Sequence, residues 1–77
     1  MTGERALEIW TIYRRPADYP IFYVVRRSFV RDGGWLENDP EARLAIDLDE
    51  ARKLIPWGLY RMPRQEDDEP QIVETWF

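Results

Sequence analysis

Ile21-Phe22-Tyr23-Val24-Val25-Arg26-Arg27-Ser28-Phe29-Val30-Arg31, followed by Asp32-Gly33-Gly34-Trp35-Leu36, is the stretch from which the fold can be read. Its β-branched and aromatic side chains suit a pleated, half-buried surface. Alternation places Tyr23, Val25, Arg27 and Phe29 on one face, and Phe22, Val24, Arg26, Ser28 and Val30 on the other. Both faces begin apolar and each acquires an arginine near its middle. That is the pattern of a central strand covered at one end and exposed at the other. Asp32-Gly33-Gly34 supplies positions that tolerate positive φ and predicts a hairpin turn into Trp35-Leu36.

Working outward, residues 7–13 (Leu-Glu-Ile-Trp-Thr-Ile-Tyr) predict a strand. Residues 14–20 carry Pro16 and Pro20 with Asp18 between them, which predicts an ordered turn joining two strands. On the far side of the hairpin, residues 37–41 are polar, contain Pro40 and predict a loop, while residues 43–46 predict a short strand. Asp47 with Glu50 three residues later has the spacing of a capping box. Leu48, Ala51, Leu54 and Ile55 then share one face of about two helical turns, and Pro56 and Gly58 stop the helix. Leu59-Tyr60-Arg61 predicts a short strand, residues 64–70 a charged loop, and residues 71–77 a final strand. The expected architecture is α+β: a single small domain over residues 1–77, with an antiparallel sheet of four to five strands and one short helix packed on it.

Composition narrows the chemistry. The 77 residues are 44% apolar and 34% charged, with no cysteine and no histidine. Disulfides, Cys/His zinc sites, thiol nucleophiles and Ser-His-Asp constellations are thereby excluded. A domain this small buries only about 60% of its unfolded surface, so the four Trp, four Tyr and three Phe are first of all core mass. The longest apolar run, Ile21 to Val25, is far short of the ~20 residues that cross a bilayer. Residues 1–5 carry no signal-peptide pattern. A cytoplasmic protein with no membrane contact is expected.

Ten of the eleven bases are arginine, and the signs are unevenly placed. Residues 1–31 hold six bases against three acids, a net of +3, and residues 32–77 hold five against twelve, a net of −7. If the two segments occupied different faces the molecule would be strongly dipolar. The basic candidates for binding a partner or a second copy are Arg14, Arg15, Arg26, Arg27 and Arg31. Arginines among aromatics can also neutralise phosphates and stack on bases, but the net charge of −4 repels a polyanion. Direct binding of nucleic acid is therefore not expected, and the bland alternative is that these arginines pair with the acids of the same chain. The acidic candidates are Glu66, Asp67, Asp68 and Glu69. A calcium loop with its central glycine and terminal glutamate is absent from them, and no metal or cofactor is expected. A solvated loop is their simplest reading; an acidic face docking on a basic protein surface is the functional one. Trp35 and Trp57 flank turns and are candidate interface aromatics, although the sequence favours them as lids of a small core.

Paired carboxylates can do acid–base work. Yet a chain of 77 residues leaves little volume for a walled pocket, and the few hydroxyls have no evident base beside them. The chain is not expected to be an enzyme.

Ile12-Tyr13-x-Arg15-Pro16-x-Asp18-Tyr19-Pro20, with Val24-Val25-Arg26-Arg27 after it, resembles the opening of a family of short uncharacterised proteins of bacteria and their phages. Pro56-x-Gly58-Leu59-x-Arg61 and Asp67-Asp68-x-Pro70-x-Ile72-Val73-Glu74-x-Trp76 resemble its closing half. The resemblance spans most of the chain outside residues 35–46 and carries over no catalytic residue. In size and charge alone, the chain is also similar to phage anti-CRISPR proteins. It implies a non-catalytic protein-binding module, most concretely a phage-derived inhibitor that docks on a CRISPR effector subunit and blocks its nucleic-acid surface. The alternative expectations are a self-associating homodimer and, after it, an arginine-mediated nucleic-acid binder.

Overall fold

Residues 6–77 are described by the computed structural model, so the expectation about residues 1–5 lies outside them. The elements in chain order are β1 (Ala6–Arg14), β2 (Tyr23–Arg31), β3 (Trp35–Ala45), α1 (Leu48–Lys53), β4 (Arg61–Pro63) and β5 (Ile72–Trp76). The strands form one sheet in the order β3-β2-β1-β5-β4, and every neighbouring pair is antiparallel. The expected antiparallel sheet with a single short helix is what the chain forms.

The β1–β2 ladder runs without interruption from Ala6↔Arg31 to Arg14↔Tyr23. Beyond it the chain turns at Asp32-Gly33-Gly34, where the amide of Gly34 donates to the carbonyl of Arg31 at 3.0 Å. Gly33 and Gly34 have φ of 87° and 83°, a region that side chains with a Cβ rarely enter. At the other end of β1, residues 15–22 form a turn closed by Tyr19 N–H to Pro16 O at 2.9 Å and Arg15 N–H to Phe22 O at 3.0 Å. Ile21 and Phe22 belong to this turn, so β2 starts at Tyr23, later than the apolar run suggests. Pro20 cannot donate to a ladder, which delays the pairing.

Residues 37–41 are the main correction, because they belong to β3 and form no free loop. Proline is tolerated on an edge strand and at bulges, and Pro40 has both conditions. The β2–β3 register jumps between Arg26↔Ala42 and Ser28↔Asn38, so Arg27 faces the bulged residues 39–41. The penultimate strand is likewise shifted, from residues 59–61 to Arg61–Pro63. Tyr60 nevertheless exchanges two backbone hydrogen bonds with Phe77, at 2.8 and 3.1 Å, just outside the regular ladder.

Helix α1 begins as its spacing dictates. The carboxylate of Asp47 accepts from the amide of Glu50 at 2.8 Å, which satisfies one of the orphan donors of the first turn. The return arm of the box is replaced, because the Glu50 carboxylate pairs with Lys53 at 3.2 Å. The chain leaves β3 at one edge, passes through α1 over β2 and β3, and enters β4 at the opposite edge. The core lies between helix and sheet: Trp10, Ile12, Val25, Ala45 and Ala51 are buried, with Tyr23, Leu48, Ile55, Leu59, Val73 and Trp76 packed around them. Each Ile or Val buried this way contributes about 1.5–3 kcal/mol. Trp35 and Trp57 are not lids on this core, since they are 73% and 99% exposed. Trp35 opens β3 opposite Arg31 at the hairpin end of the sheet, and Trp57 stands in the turn beside Gly58.

Candidate functional site

Among the described residues, the helix-facing side of the sheet is a lattice of alternating charge over aromatic rings. Arg27 is in the middle: its guanidinium lies 5.5 Å from the Trp10 ring and 5.1 Å from that of Phe29. It donates to Asp39 at 2.6 and 3.1 Å and lies 3.8 Å from Glu8. Glu8 in turn accepts from the indole of Trp10 at 2.7 Å. Arg31 is 5.4 Å from Phe29 and 2.8 Å from Glu37. Arg43 lies 4.9 Å from Trp10 and 2.9 Å from Glu41. The bulge in β3 explains why the lattice closes here: it turns Asp39 toward Arg27, and the Glu41 amide holds the same carboxylate at 2.9 Å. That amide first, and Arg27 second, hold the Asp39 carboxyl below the usual carboxylate range. Arginine stems laid over rings with their heads on carboxylates describe a knitted surface.

A second cluster forms where α1 meets β4 and β5. Glu74 is 2% exposed, yet it accepts two hydrogen bonds from Arg52, at 2.8 and 3.0 Å, and one from the Trp76 indole at 2.8 Å. Arg61 approaches it to 3.7 Å. Burial pushes its carboxyl up, but Arg52, Trp76 and Arg61 together outweigh burial and hold it below the ordinary value. Its position on the sheet follows from Ile12↔Glu74 pairing, which aims the side chain at the helix.

The basic and acidic candidates do not segregate into two faces. Arg26 meets Asp18 at 3.2 Å, and Arg27 and Arg31 pair with acids of β3, the strand hydrogen-bonded to their own. Arg14 and Arg15 are exposed at the end of β1, where Arg15 adopts a left-handed φ of 42°. The loop 64–71 lies at the same end of the sheet, fastened by Arg14 N–H to Gln71 O at 2.7 Å. Within it Asp68 is tied inward, accepting from the amide of Gln65 at 2.8 Å. Glu66, Asp67 and Glu69 remain exposed. Between this loop and the 15–22 turn is a depression of about 310 Å³ lined by Tyr13, Asp18, Arg26 and Glu69. Burial first, and the Glu69 charge second, raise the Tyr13 pKa against the opposing influence of Arg26. No group of three acids is placed to hold a metal ion among the described residues. No helix among them is long and apolar enough to cross a membrane.

The sheet's other side is where sequence reasoning missed most. The β1–β2–β3 registers put Leu7, Val30 and Leu36 in one row, with Ile9, Ser28 and Asn38 in the next. Tyr60 and Phe77, opposite each other, and Met62 extend this side across β4 and β5. The turn 15–22 folds over only the loop end of this side, where Asp18 meets Arg26 and Val24 is fully buried. Toward the hairpin end no described element packs on it. Leu7 is 51%, Leu36 63% and Tyr60 79% exposed. A solvated sheet face ordinarily alternates to polar residues. The signal was present in Leu7 and Ile9 alternating with Trp10 and Ile12: a strand apolar on both faces expects a layer on each.

Comparison with known family models, curated proteins and solved structures finds no match for this chain.

Proposed function

We propose that this protein is a non-catalytic protein-binding module that works through the open, apolar side of its sheet. The Leu7–Val30–Leu36 row, with Leu7 and Leu36 exposed and Val30 half-buried between them, carries this reading. Contiguous apolar surface of this kind is expensive to leave in water and marks contact sites. The arginines at 26, 27 and 31 support it indirectly, because they pair within the chain and are not held ready for phosphates.

A second reading keeps the acidic loop as the docking element. Glu66, Asp67 and Glu69 are exposed on a loop that Asp68 and Arg64 brace, Arg64 donating to the Asp68 carbonyl at 3.0 Å. Such a loop suits a basic surface that otherwise holds nucleic acid, as in a phage inhibitor of a CRISPR effector. Photo-crosslinking residues placed separately at Leu36 and Asp67 distinguish the two. Adducts from position 36 support the open face, and adducts from position 67 alone move the site to the loop. Adducts from neither position, in cells that express the chain, would end both readings.

A further inference from the structure

We infer that Arg14 and Arg64 form a binding site for a phosphate monoester group at the loop end of the sheet. The site is separate from the open apolar side, so its failure would leave the reading of that side untouched.

The bases divide by their partners. Among the described residues, all of them except Arg14, Arg15 and Arg64 have a carboxylate at 3.7 Å or less. The side chains of Arg14 and Arg15 have no ion pair or hydrogen bond among these residues, and that of Arg64 donates only to the Asp68 carbonyl, at 3.0 Å. A guanidinium carries five N–H donors in a fixed fork, so most of the donors on Arg64 and all of those on Arg14 stay open to a ligand. These two meet: Arg14 and Arg64 line one depression of about 230 Å³ with Pro70, Ile72 and Val73, and no carboxylate is on its wall.

The path of the chain explains why the acids of the 64–71 loop are missing from it. Arg14 N–H to Gln71 O, at 2.7 Å, fastens the loop at the end of β1. Tyr13 and Arg14 alternate to opposite sides of that strand. Glu69 lines the depression on the Tyr13 side, and Arg64 lines the one that holds Arg14. The Asp68 carboxylate is held by the Gln65 amide at 2.8 Å. β5 contributes its wall through a bulge: the register passes from Ile12↔Glu74 to Tyr13↔Ile72, which makes Val73 the extra residue.

The donor set selects the ligand. A carboxylate is matched by the fork of a single arginine. Two guanidiniums with no acid on the wall beside them match a dianion, and a phosphate monoester becomes one above its second ionisation at about pH 6. Its terminal oxygens can accept from both forks, while Pro70, Ile72 and Val73 face the carbon side of the ester. A polyanion is disfavoured, because the chain has a net charge of −4 and Glu66, Asp67 and Glu69 are exposed on the same loop. The group recognised is a single terminal phosphate.

Proton–nitrogen correlation spectra of the full chain, at fixed ionic strength in sodium chloride, test the site. Phenyl phosphate and a glycine-flanked phosphoserine peptide are titrated separately, with benzoate and dimethyl phosphate as monoanionic controls. A saturable shift of the Arg14 and Arg64 Nε–H signals is expected with a monoester, and the tighter of the two tells a small-molecule source from a phosphorylated side chain. The controls should bind about tenfold more weakly. Arg14→Gln and Arg64→Gln should each weaken monoester binding by about tenfold. Lys53→Gln removes the same charge from α1 and should change it by less than about twofold. Affinity should also rise between about pH 5 and about pH 7 with the second ionisation of the ligand, since the chain has no histidine to titrate there. Both arginines are exposed, and unchanged amide dispersion in the variants shows that they fold. The site is overturned by the absence of a saturable shift with either monoester, or by equal affinity for benzoate. Monoester binding retained in the Arg14→Gln/Arg64→Gln double variant overturns it as well.

Discussion

Glu74 shows what one side chain can ask of its surroundings. A carboxylate with 2% exposure survives because Arg52 and the Trp76 indole saturate it. Removing one partner leaves a buried charge uncompensated, which costs about 3–5 kcal/mol in a fully buried pair. Arg52 is 39% exposed and Arg61 stays 3.7 Å away, so Arg52→Met should cost less, about 2 kcal/mol by urea unfolding. The Arg52→Met/Glu74→Leu double variant should regain part of that loss, since no charge is then left behind. The same group sets an acid limit. Its folded pKa is depressed, so its contribution is complete above the unfolded value of about 4.3 and is lost as pH falls through the folded one. Denaturant midpoints should therefore hold steady down to about pH 5 and decline below it, and Glu74→Gln should flatten that decline.

Element by element, local chemistry decides more for the helix than for the strands. α1 has six residues, too few to persist in water alone. It depends on its cap and on the packing of Ala51, Leu48 and Ile55 against the sheet. Asp47→Ala should cost about 1 kcal/mol in thermal or chemical unfolding. Both were legible in the sequence, as an aspartate three residues before a glutamate and an apolar stripe after it. The β2–β3 hairpin was legible for a similar reason, since paired glycines leave few other turns. β3 was not. Pro40 and four polar neighbours read as a loop, and only an edge position with a bulge lets the strand continue through them. Nothing within residues 37–41 announces that Arg27 lies across the ladder to receive Asp39.

At the scale of the molecule, a chain divided into a basic and an acidic segment folds with the signs interleaved. β2 carries arginines and β3 carries acids, and their pairing turns a sequence dipole into a neutralised lattice. Glu66, Asp67 and Glu69 stay exposed outside that lattice.

What the amino-acid order settled by itself was local: strands from alternation, the turn from Gly33-Gly34, the helix start from Asp47, and the exclusion of thiol and imidazole chemistry. These depend on neighbours a few residues apart, whose geometry the backbone imposes wherever the segment lies. The tertiary structure alone decided that β1 is central, that Asp39 answers Arg27, that Trp35 and Trp57 stand in solvent, and that no described element covers the hairpin end of one side of the sheet. Each of those depends on which distant strand lies alongside. That choice is made by long-range pairing, where a single register brings all the partners together at once.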